Sequence, residues 1–134
     1  MIRGVGIDLV EVKRIRSTIG RWGERFVRKV FTDVEIDYCR SKKNSYQHYA
    51  ARFAAKEAVA KSLAIGWSGG FRWRDIEVVN DRSGKPSVVL RGHLKKMLSK
   101  STVFVSISHS GDLVVSCAVI ETPSRPRQSA RRAK

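Results

Sequence analysis

The sequence predicts one α+β domain, and three observations carry that prediction. Its 134 residues suffice for one compact domain and fall short of two ordinary ones. Hydrophobic residues at 42 % and charged residues at 29 % mark a globular rather than a disordered composition. The hydrophobic pattern alternates between the two-residue period of strands and the longer period of helices. The resulting order is strand, three helices, two strands, helix, two strands, without an internal repeat.

Residues 3–10 alternate, with Val5, Ile7 and Leu9 on one side and Gly4, Gly6 and Asp8 on the other, which reads as a strand. Over 12–26 the apolar residues recur at helical spacing. Gly20 and Gly23 each cost about 1 kcal/mol there relative to Ala, and are the points where this helix can bend or break. Thr32-Asp33-Val34-Glu35 is a capping box opening a short helix to Arg40. A polar connector over 41–45 precedes an alanine-dense helix over 46–64, ended by Gly66. Residues 67–71 form a loop. Segments 75–80 and 87–90 flank Asp81-Arg82-Ser83-Gly84-Lys85-Pro86 as a hairpin. A short amphipathic helix over 92–100 leads to a second hairpin, 102–108 with 113–120. Past Glu121, Pro123, Pro126 and five basic residues have nothing to bury. The folded domain is therefore 1–121, and 122–134 a disordered basic tail.

The formal charge is +15, and residues 1–120 alone hold 22 bases and 11 acids. The excess belongs to the folded part as well as the tail, and such a field suits a polyanionic partner. No apolar run is long enough for a membrane-spanning helix, and the N-terminus lacks the apolar stretch and cleavage site of a secretory signal. Cys39 and Cys117 follow neither metal nor disulfide spacing and read as ordinary intracellular thiols.

On the wheel of the 46–64 helix, Ala50, Phe53, Ala60 and Ala64 mark a small apolar face, and Glu57 falls inside it. A carboxylate there costs several kcal/mol unless compensated. One reading is an i,i+4 ion pair with Lys61. The other is a metal or phosphate site, with Arg52, Lys56 and Lys61 supplying positive charge. Asp8 shares its strand face with Gly4 and Gly6, residues that let another group approach the backbone closely. A strand acid facing a helix acid makes a hard-cation site, since Mg²⁺ takes one or two carboxylates and fills its shell with water and phosphate. The competing role for Asp8 is a cap on the next helix. His109, among hydroxyls and a Gly turn, is either structural or a phosphate donor.

Three segments then act as a set: Gly6-Ile7-Asp8-Leu9-Val10-Glu11-Val12-Lys13-Arg14-Ile15, Arg52-Phe53-Ala54-Ala55-Lys56-Glu57-Ala58-Val59-Ala60-Lys61 and Ser106-Ile107-Ser108-His109-Ser110. In this order they resemble the signatures of the holo-acyl-carrier-protein synthases, the short bacterial type of 4′-phosphopantetheinyl transferase. The resemblance runs from about residue 2 to 121 and includes Gly84-Lys85-Pro86. It departs from the family at Leu113-Val114-Val115, where an aromatic residue is usual, and in the Trp and Gly content of the 65–74 loop. The basic tail lies outside it.

The resemblance implies an antiparallel sheet with helices packed on it. The implied activity moves the phosphopantetheine arm of coenzyme A to a serine of an acidic acyl carrier protein, in the cytoplasm and in the service of fatty acid synthesis. It implies Asp8 and Glu57 as Mg²⁺ ligands, with Glu57, Lys61 and His109 as the catalytic group. Arg52, Lys56, Lys61, Gly84, Lys85, Pro86 and His109 would contact coenzyme A. The base taking the serine proton is Glu57 or a metal-bound water. Family members are trimers with sites between subunits, so Asp8 and His109 of one site come from different chains. Neither a membrane nor a nucleic acid has a part in this reading.

On the first helix Arg14, Arg21, Arg25 and Arg28 fall within about 60° of arc, with Trp22 and Phe26 at the edge of the strip. A basic strip with an apolar edge suits an acidic carrier protein, and in the family this helix docks it. The alternative function is a small RNA-binding protein using the basic core and Phe71-Arg72-Trp73-Arg74, whose interleaved aromatics and bases resemble single-strand binders. Gly66-Trp67-Ser68-Gly69 also meets the GxxG pattern of a KH domain, but a strand rather than a helix is expected after it. That alternative leaves Glu57 and Asp8 unexplained.

Overall fold

The computed structural model describes residues 1–63 and 66–124. Strand β1 (Ile2–Glu11) pairs antiparallel with β5 (Leu113–Glu121), and β5 with β4 (Thr102–Ser110), giving the order β1-β5-β4. A separate hairpin joins β2 (Ile76–Asn80) to β3 (Pro86–Leu90). Helices α1 (Val12–Trp22), α2 (Glu24–Val30), α3 (Asp33–Arg40) and α4 (Ser45–Ser62) lie between β1 and the hairpin, and α5 (Gly92–Met97) precedes β4. The α+β class and the antiparallel pairing are as the sequence predicts. The helix count differs by one.

The extra helix arises at Gly23. Its φ of 58° is left-handed, a conformation that favours glycine. Gly23 ends α1 by donating to Ile19 O at 2.7 Å and starts α2 by accepting from Phe26 and Val27. The Thr32 capping box forms as expected, with Glu35 answering the Thr32 amide at 2.9 Å.

Helix α4 is the axis of the molecule. Its buried Ala50, Ala54, Ala55, Ala58 and Ala60 let both core lobes close on it. One lobe holds Val12, Ile15, Val27, Phe31 and Ile36, and the other Phe71, Ile76, Leu94 and Val105. The glycine side of β1 lies against its backbone. A Cβ added at Gly4 would stand 1.9 Å from Ser62 O, and one at Gly6 2.0 Å from Ala58 O. No side chain fits either place.

Packing by the glycine side leaves the apolar side of β1 outward. Val5, Ile7 and Leu9 are 61–63 % exposed. Phe104, which the register places beside Val5 across Val119, is also exposed.

Lys56 is fully buried in α4. Its ammonium meets the Glu35 carboxylate at 2.7 Å and donates to Trp73 O and Ile76 O. Glu35 also accepts from the Val78 amide, so α3, α4 and β2 join at one buried ion pair. Both cysteines are free thiols, and burial pushes Cys39 up to about 12. Among the described residues no helix is long and apolar enough to cross a membrane. Most of the expected tail, 125–134, and residues 64–65 at the expected end of the long helix lie outside the described residues.

Candidate active site

Asp8 continues the glycine side of β1 and is bonded to the penultimate residue of α4. Its side chain is 14 % exposed, and its Oδ1 accepts from Lys61 Nζ at 2.9 Å. Lys61 also donates to Ile7 O, and its bond to Asp8 holds its pKa above the ordinary lysine value. The helix-cap role for Asp8 is not seen: the first amide of α1, Val12, goes to Asp112 O. Nor does Lys61 pair with the residue four before it. Glu57 instead accepts from the indole Nε1 of Trp67 at 3.5 Å.

Burial raises the pKa of Glu57, the Trp67 hydrogen bond opposes that rise, and the nearby charge of Asp8 adds to it. The two acids are therefore close enough to repel, and a cation already sits on one of them. Both line a cleft of about 480 Å³ with Lys61, Arg14, Phe53 and Leu113. Among the described residues no three His, Cys, Asp or Glu side chains cluster. Two carboxylates open to a cleft nonetheless fit a hard divalent ion that keeps water and phosphate in its shell. They do not fit one that needs an all-protein cage.

The remaining expected residues lie elsewhere. The expected coenzyme contact of Lys56 is corrected: with no exposure and three oxygen partners, its ammonium serves the core. Charge in a helix usually marks its solvent face, and here it does not. Arg52 is 3 % exposed, its guanidinium 4.0 Å from the centre of the Tyr38 ring and 2.9 Å from Asn80 Oδ1. Its Nε has no hydrogen-bond partner among the described residues. Gly84, Lys85 and Pro86 are held at the hairpin tip, where Asp81 accepts from the Ser83 and Lys85 amides.

His109 is exposed near the end of β4 and lines no part of the cleft. Strand β5 separates it from Asp8, with Asp8 opposite Ser116 and His109 opposite Val114. Strand spacing puts their backbones on the order of 12 Å apart. One residue the sequence reading missed joins His109 and Arg52: His48, whose pKa is lowered by burial and by the charges of Arg52, Lys42 and His109. Its position one turn before Arg52 was the available signal. The chain thus carries two separate groups, acids with Lys61 on one flank and imidazoles with Arg52 on another.

A model of the 4′-phosphopantetheinyl transferase superfamily matches residues 4–118. The chain belongs to that superfamily. A holo-[acyl-carrier-protein] synthase of Solibacter usitatus is 42 % identical over 124 residues, 90 % of this chain and 99 % of its own. The crystal structure of the Neisseria meningitidis synthase superposes with a TM-score of 0.85 at 34 % identity, covering 91 % of this chain and all of that one. The Bacillus anthracis synthase, solved with CoA (3′,5′-ADP), gives 0.78 at 33 % identity, covering 92 % and 99 %.

In this transferase the basic strip is divided. The break at Gly23 puts Arg14 and Arg21 on α1 and Arg25 and Arg28 on α2, so no single helix face carries all four. Arg28 is also engaged by Glu24 at 3.0 Å and by Asp33 at 3.4 Å. Arg14 lines the acid-bearing cleft. Arg21 lies over the ring of Trp22, which is 51 % exposed and shares a groove with Arg25 and Phe26.

Proposed function

We propose that this transferase moves the 4′-phosphopantetheine group of coenzyme A to a serine hydroxyl of an apo-acyl carrier protein and releases adenosine 3′,5′-bisphosphate. The single observation that carries the proposal is the Asp8–Glu57 pair, with Lys61, in a cleft rimmed by Arg14. The named activity of the relatives supports it. Cytoplasmic action belongs to the same reading.

The serine oxygen bonds to the phosphorus that bears the pantetheine arm, and the bond from that phosphorus to the nucleotide oxygen breaks. The electron pair leaves with the bisphosphate. Such a step needs positioning and charge neutralisation more than a covalent group from the protein. Asp8 and Glu57 would hold Mg²⁺, which supplies neutralisation of the pyrophosphate. Lys61 adds a second positive charge on the same side. The serine proton is assigned to the carboxylate of Glu57, which lines the cleft. Arg14, Arg21 and Arg25 receive the acidic carrier beside the cleft.

Each site is shared between subunits of a homotrimer. The uncovered Val5, Ile7, Leu9 and Phe104 support this, since apolar sheet faces of that kind mark contact surfaces. So does the separation of His109, Arg52 and the hairpin tip from the acids. A neighbour's copies of His109, Arg52, Gly84, Lys85 and Pro86 complete the coenzyme contacts.

The RNA-binding alternative is not favoured. The aromatics it needs pack on each other, Trp67 against Phe71 and Trp73, and Trp73 stacked on Phe53, so they do not stand free to receive bases. The deciding assay is transfer of labelled phosphopantetheine from coenzyme A to an apo carrier protein. Label appearing on the carrier serine is expected, and an unlabelled carrier with folded enzyme and Mg²⁺ would refute the reading.

A further inference from the structure

Glu57 has an unusual partner. The cation that helical spacing offers it, Lys61, is turned to Asp8. The donor that meets its Oε2 is neutral, the Trp67 indole at 3.5 Å. That ring lies against two others, its centre 4.0 Å from that of Trp73 and 5.1 Å from that of Phe71. Trp73 in turn stacks on Phe53 at 5.1 Å with the planes 19° apart. Phe53 lies one turn before Glu57 on α4, so the contacts close on themselves: α4 to Trp73, Trp73 to Trp67, Trp67 back to Glu57 on α4.

We propose that Trp67 is a positioning residue for the transfer, fixing the Glu57 carboxylate by a neutral hydrogen bond within a closed aromatic stack. The proposal rests on the two-carboxylate reading given above. A lysine or arginine at this place would orient the carboxylate equally well but compete with a divalent cation by its own charge. An indole N–H is a donor only, without net charge. It holds the ligand and leaves its charge for the ion. The tryptophans of the 65–74 loop, where this chain departs from the family pattern, thereby acquire a shared purpose. Trp67 supplies the donor and Trp73 holds it in place.

The test is calorimetric binding of Mg²⁺ in the presence of adenosine 3′,5′-bisphosphate, with no carrier protein and so no turnover. Four proteins are compared: wild type, Trp67→Phe, Trp67→His and Glu57→Gln. Trp67→Phe keeps a stacking ring and loses the donor. It is expected to melt close to wild type and to bind Mg²⁺ about three- to tenfold more weakly, the range of one hydrogen bond. Trp67→His retains a ring N–H and is expected to recover part of the loss. With carrier added, Trp67→Phe should raise the Mg²⁺ requirement while leaving the KM for the carrier unchanged.

Wild-type Mg²⁺ affinity in Trp67→Phe, beside a Glu57→Gln that binds poorly, overturns the role of Trp67 alone. Equal weakening in Phe and His overturns it too, because the ring rather than its N–H would then be responsible. Wild-type affinity in Glu57→Gln overturns the two-carboxylate reading itself.

Discussion

Replacing Gly6 with alanine adds one methyl group where β1 crosses α4. The added Cβ would stand 2.0 Å from Ala58 O and 2.7 Å from Ser62 N, against an ordinary contact of 3.4 Å or more. The two elements must separate by about 1.4 Å, and the atoms in the way are backbone, so no rotamer relieves the overlap. Overpacking typically costs about 1–3 kcal/mol, and the upper end applies where nothing flexible can yield. For a domain of this size that is a fall of roughly 10 °C in melting temperature.

The functional loss should be larger than the stability loss. Asp8 lies two residues along the same strand, and its 2.9 Å contact with Lys61 spans the gap being forced open. A displacement of about 1 Å at such a site costs on the order of 100-fold in rate. Gly20→Ala is the control. Nothing lies within 4 Å of its added Cβ, and inside α1 the change should stabilise by up to about 1 kcal/mol. Thermal unfolding and kcat/KM of both variants decide the matter. A Gly6→Ala protein that melts within about 2 °C of wild type and keeps its turnover would refute the close approach of β1 and α4.

Asp8→Asn and Glu57→Gln should abolish most Mg²⁺-dependent transfer with the fold intact. Since burial holds the Glu57 pKa above its unfolded value of 4.5, its ionisation opposes folding as pH rises through that raised value. Glu57→Gln should therefore melt no lower than wild type at neutral pH, and wild-type Mg²⁺ affinity should fall as acid protonates Glu57. Charge reversal of Arg14 and Arg21 should raise the KM for the carrier protein at least tenfold and leave that for coenzyme A nearly unchanged, as steady-state kinetics would show. Mixing inactive Asp8→Asn with inactive His109→Ala, after subunit exchange, should restore part of the transfer activity; no recovery would argue against sites shared between chains. Ending the chain after Thr122 should preserve turnover, because every site residue named above lies before it.

Periodicity and local signals carried most of the fold. The Thr32 capping box, both hairpins and the weak point at Gly23 were readable because each is set by neighbours within a few residues. Asp8 and Glu57 were readable because an acid on a glycine face and an acid on an apolar face are both anomalous. Lys56 was not, since its partner Glu35 stands 21 residues upstream and already had a local role in the capping box. The alanines around Lys56 were the hint that this side of α4 is core. Trp67 escaped for a similar reason: a loop residue between glycines carries no local mark of the carboxylate it meets. The outward turn of Val5, Ile7 and Leu9 was legible only through the glycines on the opposite face. Alternation fixes two faces of a strand without saying which one the helix will cover, and here the backbone of α4 came closer to glycine than to valine.

The buried pair of Lys56 and Glu35 also bears on torsion. Successive residues of a helix point about 100° apart, so the side chain anchored in the core and the carboxylate in the cleft are neighbours on one rigid cylinder. For α4 to turn about its own axis, an ammonium would have to withdraw from three oxygens belonging to three different segments. Lys56 works as a key in a keyway: it transmits no charge to the cleft and fixes the azimuth at which Glu57 enters it. Stiffness of that kind lets a helix with five buried alanines, which give its surroundings little to grip, present one carboxylate at a constant angle.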